Sequence, residues 1–330
     1  MKIITIEEHY MDTSVAAASA EAVNNLNPSF RDAFSQGDSA SPAPSKLMDL
    51  GEERLASMDA NGIDIQVLSM NGHGMQFLSA EEAVPLVREA NDRLATAISA
   101  HPDRFAGFAS LPTSNPEAAA AELERAVNKL GFKGAIINGR THDLFLDDSR
   151  FSPILEAAAA MNVPIYLHPT IPPKSVQDIY YSGLDSIVSA RFATAAWGWH
   201  NETGIHLLRL ILAGVFDKYP QLQIILGHWG EMIPFFLERV NDVFNPVVKN
   251  LQREVSDYFL NHVYVTPSGM FSLPSFMLTH QVMGADRIMY SVDYPFVGNE
   301  GARVFLENAP ISNADKEKIA HGNAEKLLRL

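Results

Sequence analysis

Cysteine is absent from the 330-residue chain. Its absence excludes disulfides and thiolate metal sites, and leaves imidazole and carboxylate groups as the available metal ligands. Positive charge is also scarce, with 25 Lys and Arg against 39 Asp and Glu and a formal net charge of −14. Nucleic acid and anionic membrane surfaces both require clustered Lys and Arg, so neither is expected as a partner. Long apolar runs are missing too. The most apolar stretch, Leu207 to Phe216, is interrupted by Arg209 and is too short to span a bilayer. Only Met-Lys-Ile-Ile-Thr-Ile precedes Glu7, which is too short for the apolar core of a signal peptide. A soluble cytoplasmic protein is expected, acting on a small molecule that senses the local field of its pocket.

Apolar residues make up 47% of the chain and charged residues 19%, enough to bury a large core. Short β-branched runs recur at Ile3–Glu8, Ile63–Met70, Phe105–Leu111, Gly134–Asn138, Pro164–His168, Gln223–His228, His262–Thr266 and Arg287–Val292. Helical patterns separate most of them, among them Ala80–His101, Pro116–Leu130, Pro153–Met161 and Thr203–Tyr219. Strand–helix alternation implies parallel strands with helical crossovers. Eight strands predict an α/β fold of the (β/α)₈ TIM-barrel type, with residues 1–330 as one domain. No Gly-x-Gly-x-x-Gly follows the first strand, so a dinucleotide fold has little support. Two segments exceed simple connections. Residues 11–48 follow strand one and include Ser39-Ala-Ser-Pro-Ala-Pro-Ser45; residues 170–202 follow strand five and carry Tyr180, Tyr181, Phe192, Trp197 and Trp199. Both leave the carboxyl ends of strands, where barrel active sites are built. Each is read either as a functional cover or as something plainer: a mobile excursion for the first, an oligomer contact for the second.

Metal-type side chains fall at strand ends with regularity. Glu7 and His9 are two apart on strand one and share a face, while Glu8 points the other way, toward the barrel exterior. His168 ends strand five, His228 ends strand six and Asp293 ends strand eight. One polar residue after an apolar strand is ordinarily the start of a loop, but a closed barrel brings all five to one space. Glu7, His9, His168 and Asp293 are the expected ligands of a divalent cation. Their mixed nitrogen and oxygen shell suits zinc, manganese or iron(II) and fits calcium poorly. His101, His206, His262, His280 and His321 read as structural or surface residues; His73, His142 and His200 are weaker pocket candidates. Glu231, three residues after His228, is placed to orient that imidazole and raise its basicity. Arg239 either receives a substrate carboxylate or phenolate in its planar fork or is a surface residue paired with Glu238 or Asp242.

At these positions the chain resembles the amidohydrolase-related, metal-dependent decarboxylases, most closely those of 2,6-dihydroxybenzoate (γ-resorcylate) and 2,3-dihydroxybenzoate. The segments that carry the resemblance are Glu7-Glu-His9, Arg54 to Asp64, Leu68-Ser-Met-Asn71, Leu167-His-Pro169, Trp197-Gly-Trp199 with Glu202-Thr-Gly204, Leu226 to Glu231, and Ser291 to Phe296. The resemblance implies manganese or zinc on Glu7, His9, His168 and Asp293, and His228 paired with Glu231. It also implies Phe296 stacked on an aromatic substrate, with Arg239, Arg54 and Asn71 near it, and a homotetramer or homodimer. The implied reaction is reversible, non-oxidative loss of CO₂ from an ortho-hydroxybenzoate such as 2,6-dihydroxybenzoate, 2,3-dihydroxybenzoate or salicylate. Asp293 is expected to protonate the ring carbon, assisted by His228 and Glu231. The rival reading is hydrolysis of a lactone, amide or related bond, with Asp293 as the base. Glu-x-His at strand one and Phe296 beside the metal favour decarboxylation.

Overall fold

The computed structural model describes residues 1–35 and 41–330; Ser39 and Ala40 of the Ala/Ser/Pro-rich stretch lie outside the described residues. Three parallel strands, β1 (Ile4–Tyr10), β2 (Ile65–Met70) and β3 (Phe105–Gly107), form one ladder. Five more, β4 (Ala109–Ser110), β5 (Ala135–Asn138), β6 (Ile165–His168), β7 (Ile224–Leu226) and β8 (Val263–Val265), form a second parallel ladder. β3 and β4 are one barrel stave interrupted at Phe108, whose amide still donates to the Leu68 carbonyl at 2.9 Å. The eighth stave, Ile288–Val292, is held by single bridges, Val265 to Ile288 on one side and Thr5 to Tyr290 on the other. These bridges join the two ladders, giving the (β/α)₈ arrangement with its third and eighth staves less regular than the apolar runs predict.

The inner and outer faces of the staves hold separate cores. Ile4, Ile6, Val67, Phe108, Ile136, Tyr166, Ile225 and Met289 pack inside the ring. Outward-facing residues such as Leu68, Ile137, Leu167 and Leu226 pack beneath the helices. Helix Ala80–Ala100 begins at a capping box of Ser79 and Glu82, and helix Pro116–Leu130 ends at Gly131 with φ 76°. The pairing of β1 with β2 gains a residue between Thr5 and Glu8, a bulge that re-aims side chains. That extra residue lets Ile4 and Ile6 fill the ring interior while Glu7 and His9 also turn inward one step later. Glu8 does point away from them, but not to an exposed exterior. It is fully buried and accepts the amides of Val292 (2.9 Å) and Tyr294 (3.1 Å), tying β1 to the eighth stave. Burial pushes its carboxyl up to about 8.

Both long segments fold over the carboxyl ends of the staves. The first carries helices Thr13–Leu26, Phe30–Ala33 and Pro44–Met48; the second carries Lys174–Tyr180, Ser186–Ala193 and the start of Gly198–Leu212. They hold each other. Asn27 donates to Gln177 (2.8 Å), Gln177 to the Leu26 carbonyl (3.0 Å) and Arg191 to the Ala33 carbonyl (2.7 Å). Phe34 stacks on Trp199 at 6.4 Å. Of the readings left open, the described residues of both segments match covers. Asp12 anchors the first, capping Ser14 and Val15 and pairing with Arg93 of the helix Ala80–Ala100 at 2.8 Å. Burial works against its charge, yet Arg93 and the two amides hold its carboxyl below the ordinary range. Asp12→Ala is expected to cost about 1–2 kcal/mol in denaturant unfolding. Because folding lowers this pKa, the stabilisation is complete above the unfolded value of about 3.9 and fades as pH falls through the lower folded value. An unchanged midpoint at neutral pH would refute the anchor.

Candidate active site

Beneath the covers lies a cavity of about 530 Å³, opening at the carboxyl ends of the staves. At its base Glu7, His9 and His168 bring their ligand atoms within 4.8 Å of one another. Each is oriented from behind. One Glu7 oxygen, Oε2, receives the hydroxyls of Thr266 (3.2 Å), Ser291 (3.3 Å) and Ser268, which leaves Oε1 buried without a partner. Nδ1 of His168 lies 2.9 Å from the Pro169 carbonyl. A carbonyl only accepts, so Nδ1 carries the proton and Nε2 presents its lone pair, 3.7 Å from Glu7 Oε1. Nδ1 of His9 meets the Ser69 hydroxyl at 3.2 Å, and its buried Nε2 lies 3.1 Å from Asp293 Oδ1 without the alignment of a hydrogen bond.

These unpartnered atoms fit a divalent cation. Burial holds the His168 imidazole well below its usual range, in the neutral form that ligates, with His9 and His73 adding to the effect. Burial pushes the Glu7 carboxyl up, a cost that a bound cation would reverse. Gly227, at the end of β7, keeps the space open. A Cβ there would stand 2.5 Å from Ser268 Oγ, 2.9 Å from Glu7 Oε1 and 3.0 Å from the Tyr166 hydroxyl. Gly227→Ala is expected to weaken metal binding by about 1–3 kcal/mol, the usual penalty of overpacking. Calorimetric titration with a divalent metal checks this, and an unchanged affinity would rule out the cradle.

The second cluster stands on strained backbone. His228, Trp229, Gly230, Glu231 and Met232 have φ of 49°, 57°, 82°, 52° and 66°, a left-handed turn. Left-handed conformation costs roughly 1–2 kcal/mol for each non-glycine residue, and such outliers persist where surroundings over-determine them. Here the His228 amide donates to Ser268 Oγ (2.8 Å), the Trp229 amide to the Thr266 carbonyl (2.8 Å) and the Trp229 indole to the Met270 carbonyl (2.8 Å). The turn sets Nδ1 of His228 2.9 Å from Oε1 of Glu231. Burial opposes protonation of His228, but Glu231, with Glu7 and Asp293, outweighs it and pushes the imidazole up to about 9. Burial likewise opposes the charge of Glu231, and His228 with His200 overcomes it and holds that carboxyl below its usual range.

The cavity brings together most of the residues marked from sequence. His9, His168, His228, Asp293, Phe296 and Asn71 line it, with the Phe296 ring 5.7 Å from that of His9. Two do not line it within this chain. Arg54 is fully buried behind β1, donating to the His9 and Asp49 carbonyls and to Gln66, so its fork is spent on the scaffold. Arg239 lies exposed on helix Ile233–Phe244 and is absent from the cavity lining, because its helix runs outside the barrel. Of the weaker candidates, His142 is exposed outside the cavity, whereas His73 and His200 line it. The hydroxyls of Thr266, Ser268 and Ser291 were missed. Thr266 and Ser268 follow β8, the same strand-end position that marks the ligands.

A parallel eight-stave barrel with clustered Glu and His at its carboxyl ends defines a class of metal-binding barrel proteins. The chain belongs to the amidohydrolase family, whose model matches residues 42–330. It is 37% identical to a γ-resorcylate decarboxylase of Polaromonas sp. strain JS666, over 99% of this chain and 98% of that one. A crystal structure of dihydroxybenzoic acid decarboxylase from Polaromonas sp. JS666, with bound manganese and the inhibitor 2-nitroresorcinol, superposes with a TM-score of 0.85. It is 35% identical and covers 100% of this chain and 97% of that one. A 5-carboxyvanillate decarboxylase from Sphingomonas paucimobilis superposes with a TM-score of 0.90 at 33% identity, covering 100% and 99%.

Proposed function

We propose that the protein is a metal-dependent, non-oxidative decarboxylase of an ortho-hydroxybenzoate such as 2,6-dihydroxybenzoate, 2,3-dihydroxybenzoate or salicylate. The observation that carries this reading is the pair of facing groups in one cavity: three convergent ligand atoms at its base, and Asp293 with His228–Glu231 beside them. Glu7, His9, His168 and Asp293 would hold manganese or zinc. When bound, the cation supplies a chelating centre for a phenolate and a carboxylate oxygen and lowers the phenol pKa.

The chain's own groups do the rest. Loss of CO₂ from an unprotonated ring would leave an aryl anion in the ring plane, out of reach of the π-system. Protonation of the carboxyl-bearing carbon must therefore come first, and Asp293, which lines the cavity, is the acid assigned to it. The C–C bond then breaks and its electron pair returns to the ring, so that carboxylate plus one proton yields arene and CO₂. His228, held by Glu231, polarises the substrate or returns the proton to Asp293. Phe296 supplies an apolar face for the ring, and Asn71 a polar group at the rim.

A homodimer or homotetramer of a one-domain, cytoplasmic subunit completes the proposal. Ile179, Tyr180, Leu184 and Val188 on the second cover, and Phe235, Phe236 and Val243 on the helix carrying Arg239, are all exposed. No helix among the described residues is long and apolar enough to cross a membrane. The test is incubation of metal-loaded protein with a panel of ortho-hydroxybenzoates while CO₂ release is followed. Release from at least one member is expected. No release, alongside hydrolysis of a lactone or amide, would overturn the reading.

A further inference from the structure

Glu231 holds two histidines, and the proposed mechanism uses one of them. Its Oε1 lies 2.9 Å from Nδ1 of His228 and its Oε2 lies 3.0 Å from Nδ1 of His200. The carboxylate is buried, and the two rings sit 4.2 Å apart at 60°. A carboxylate only accepts, so both Nδ1 atoms donate to it. The other nitrogen of His200 then has two neighbours that compete. Nε1 of Trp199 and the Ala195 carbonyl each lie 3.0 Å from His200 Nε2. An indole N–H only donates and would meet a lone pair on Nε2, whereas a carbonyl only accepts and would meet Nε2–H; in either form Nδ1 carries the proton that Glu231 requires. Trp199 is in turn fixed by the covers, stacked on Phe34 at 10° and on His73 at 20°, with ring centroids 6.4 and 5.2 Å away.

We infer that His200 is a positioning residue that acts through Glu231 on His228, and that Trp199 links it to the seating of the covers. Its Nδ1–H occupies one carboxylate oxygen, fixes the rotation of the carboxylate and leaves the other oxygen directed at His228. Without it the carboxylate is free to turn, and His228 loses its aim. The chain from Phe34 through Trp199, His200 and Glu231 to His228 thus joins the first cover to a group that faces substrate. This inference rests on the decarboxylase reading for its effect on turnover, but its geometry is testable without turnover.

The test uses the metal-loaded protein and its variants. His200→Leu is expected to lower kcat about 10- to 100-fold, as loss of an orienting partner does, with KM and metal content little changed. His200→Asn, whose amide N–H replaces Nδ1–H, should recover most of that loss. In a His228→Gln background His200→Leu should have little further effect, because both changes break one unit. Nuclear magnetic resonance of ¹⁵N-histidine-labelled protein supplies the readout independent of activity. The His228 Nδ1–H signal should shift in His200→Leu and stay near its wild-type position in His200→Asn. A His228 signal unmoved by His200→Leu would overturn the inference, as would losses in kcat that simply add. If the wild type releases no CO₂ from any acid of the panel, the decarboxylase reading falls, and the resonance alone decides the role of His200.

Discussion

Asp293→Asn is expected to lower kcat by about 10²- to 10⁴-fold, the range spanned by loss of a positioned acid. Asn retains an oxygen for the cation and nearly the same volume, so metal content should stay close to wild type. What it removes is the exchangeable proton. Asp293 sits at the cavity wall with φ 67° and about one-sixth of its side chain exposed, within 3.1 Å of His9 and open to the substrate space. Among the described residues Asp293 is the carboxyl that lines the cavity; Glu7 has one oxygen held by three hydroxyls, and Glu231 is held by two imidazoles. The check is paired: elemental analysis for metal stoichiometry and stopped-assay CO₂ release for turnover. A variant that keeps its metal and most of its turnover would remove Asp293 from the role of acid.

The second large effect is on the cation itself. Glu7→Gln should weaken metal binding by about 100-fold or more, beyond the 10- to 100-fold usual for loss of a group that merely supports a ligand. Glu7 is wholly buried, and its three hydroxyl donors hold one oxygen while aiming the other at the imidazoles. The amide keeps the shape but not the charge. The same change relieves an unpaired buried carboxylate, so the metal-free variant should melt no lower than the metal-free wild type. Metal-loaded wild type should melt above both, because ligand binding to the folded state raises its stability. Thermal scans with and without metal separate these outcomes from misfolding. A Glu7→Gln variant that binds metal as tightly as wild type would displace Glu7 from the ligand set.

Much of this architecture can be read from residue order, for a physical reason. A barrel gathers the carboxyl ends of its staves, so a polar residue closing an apolar run has a place in space as well as in sequence. Glu7, His9, His168, His228 and Asp293 are legible that way. Thr266 and Ser268 occupy equivalent positions, but a hydroxyl after a strand looks like ordinary turn chemistry. The left-handed turn at 228–232 leaves little trace, since four of its five residues are not glycine. Arg54 and Arg239 lie outside this chain's cavity in opposite settings: a guanidinium suits a buried scaffold or an outer helix as readily as a substrate, and its sequence neighbours do not distinguish these. The eighth stave keeps its apolar run, yet pairs through single bridges, and the Val292 amide at its end goes to the Glu8 carboxylate rather than to a neighbouring strand.

The cavity has two makers. Its floor belongs to the staves and is fixed by a ring of parallel strands that tolerates little change. Its ceiling belongs to two excursions of the chain, pinned to each other by a handful of hydrogen bonds and one aromatic stack. Descent with modification can therefore rewrite the ceiling, and with it the choice of aromatic acid, while the reacting groups below stay as they are. Kin of this chain should differ most where Ala16, Ala20, Val23 and Phe30 face inward, and a designer seeking a new acid would begin there.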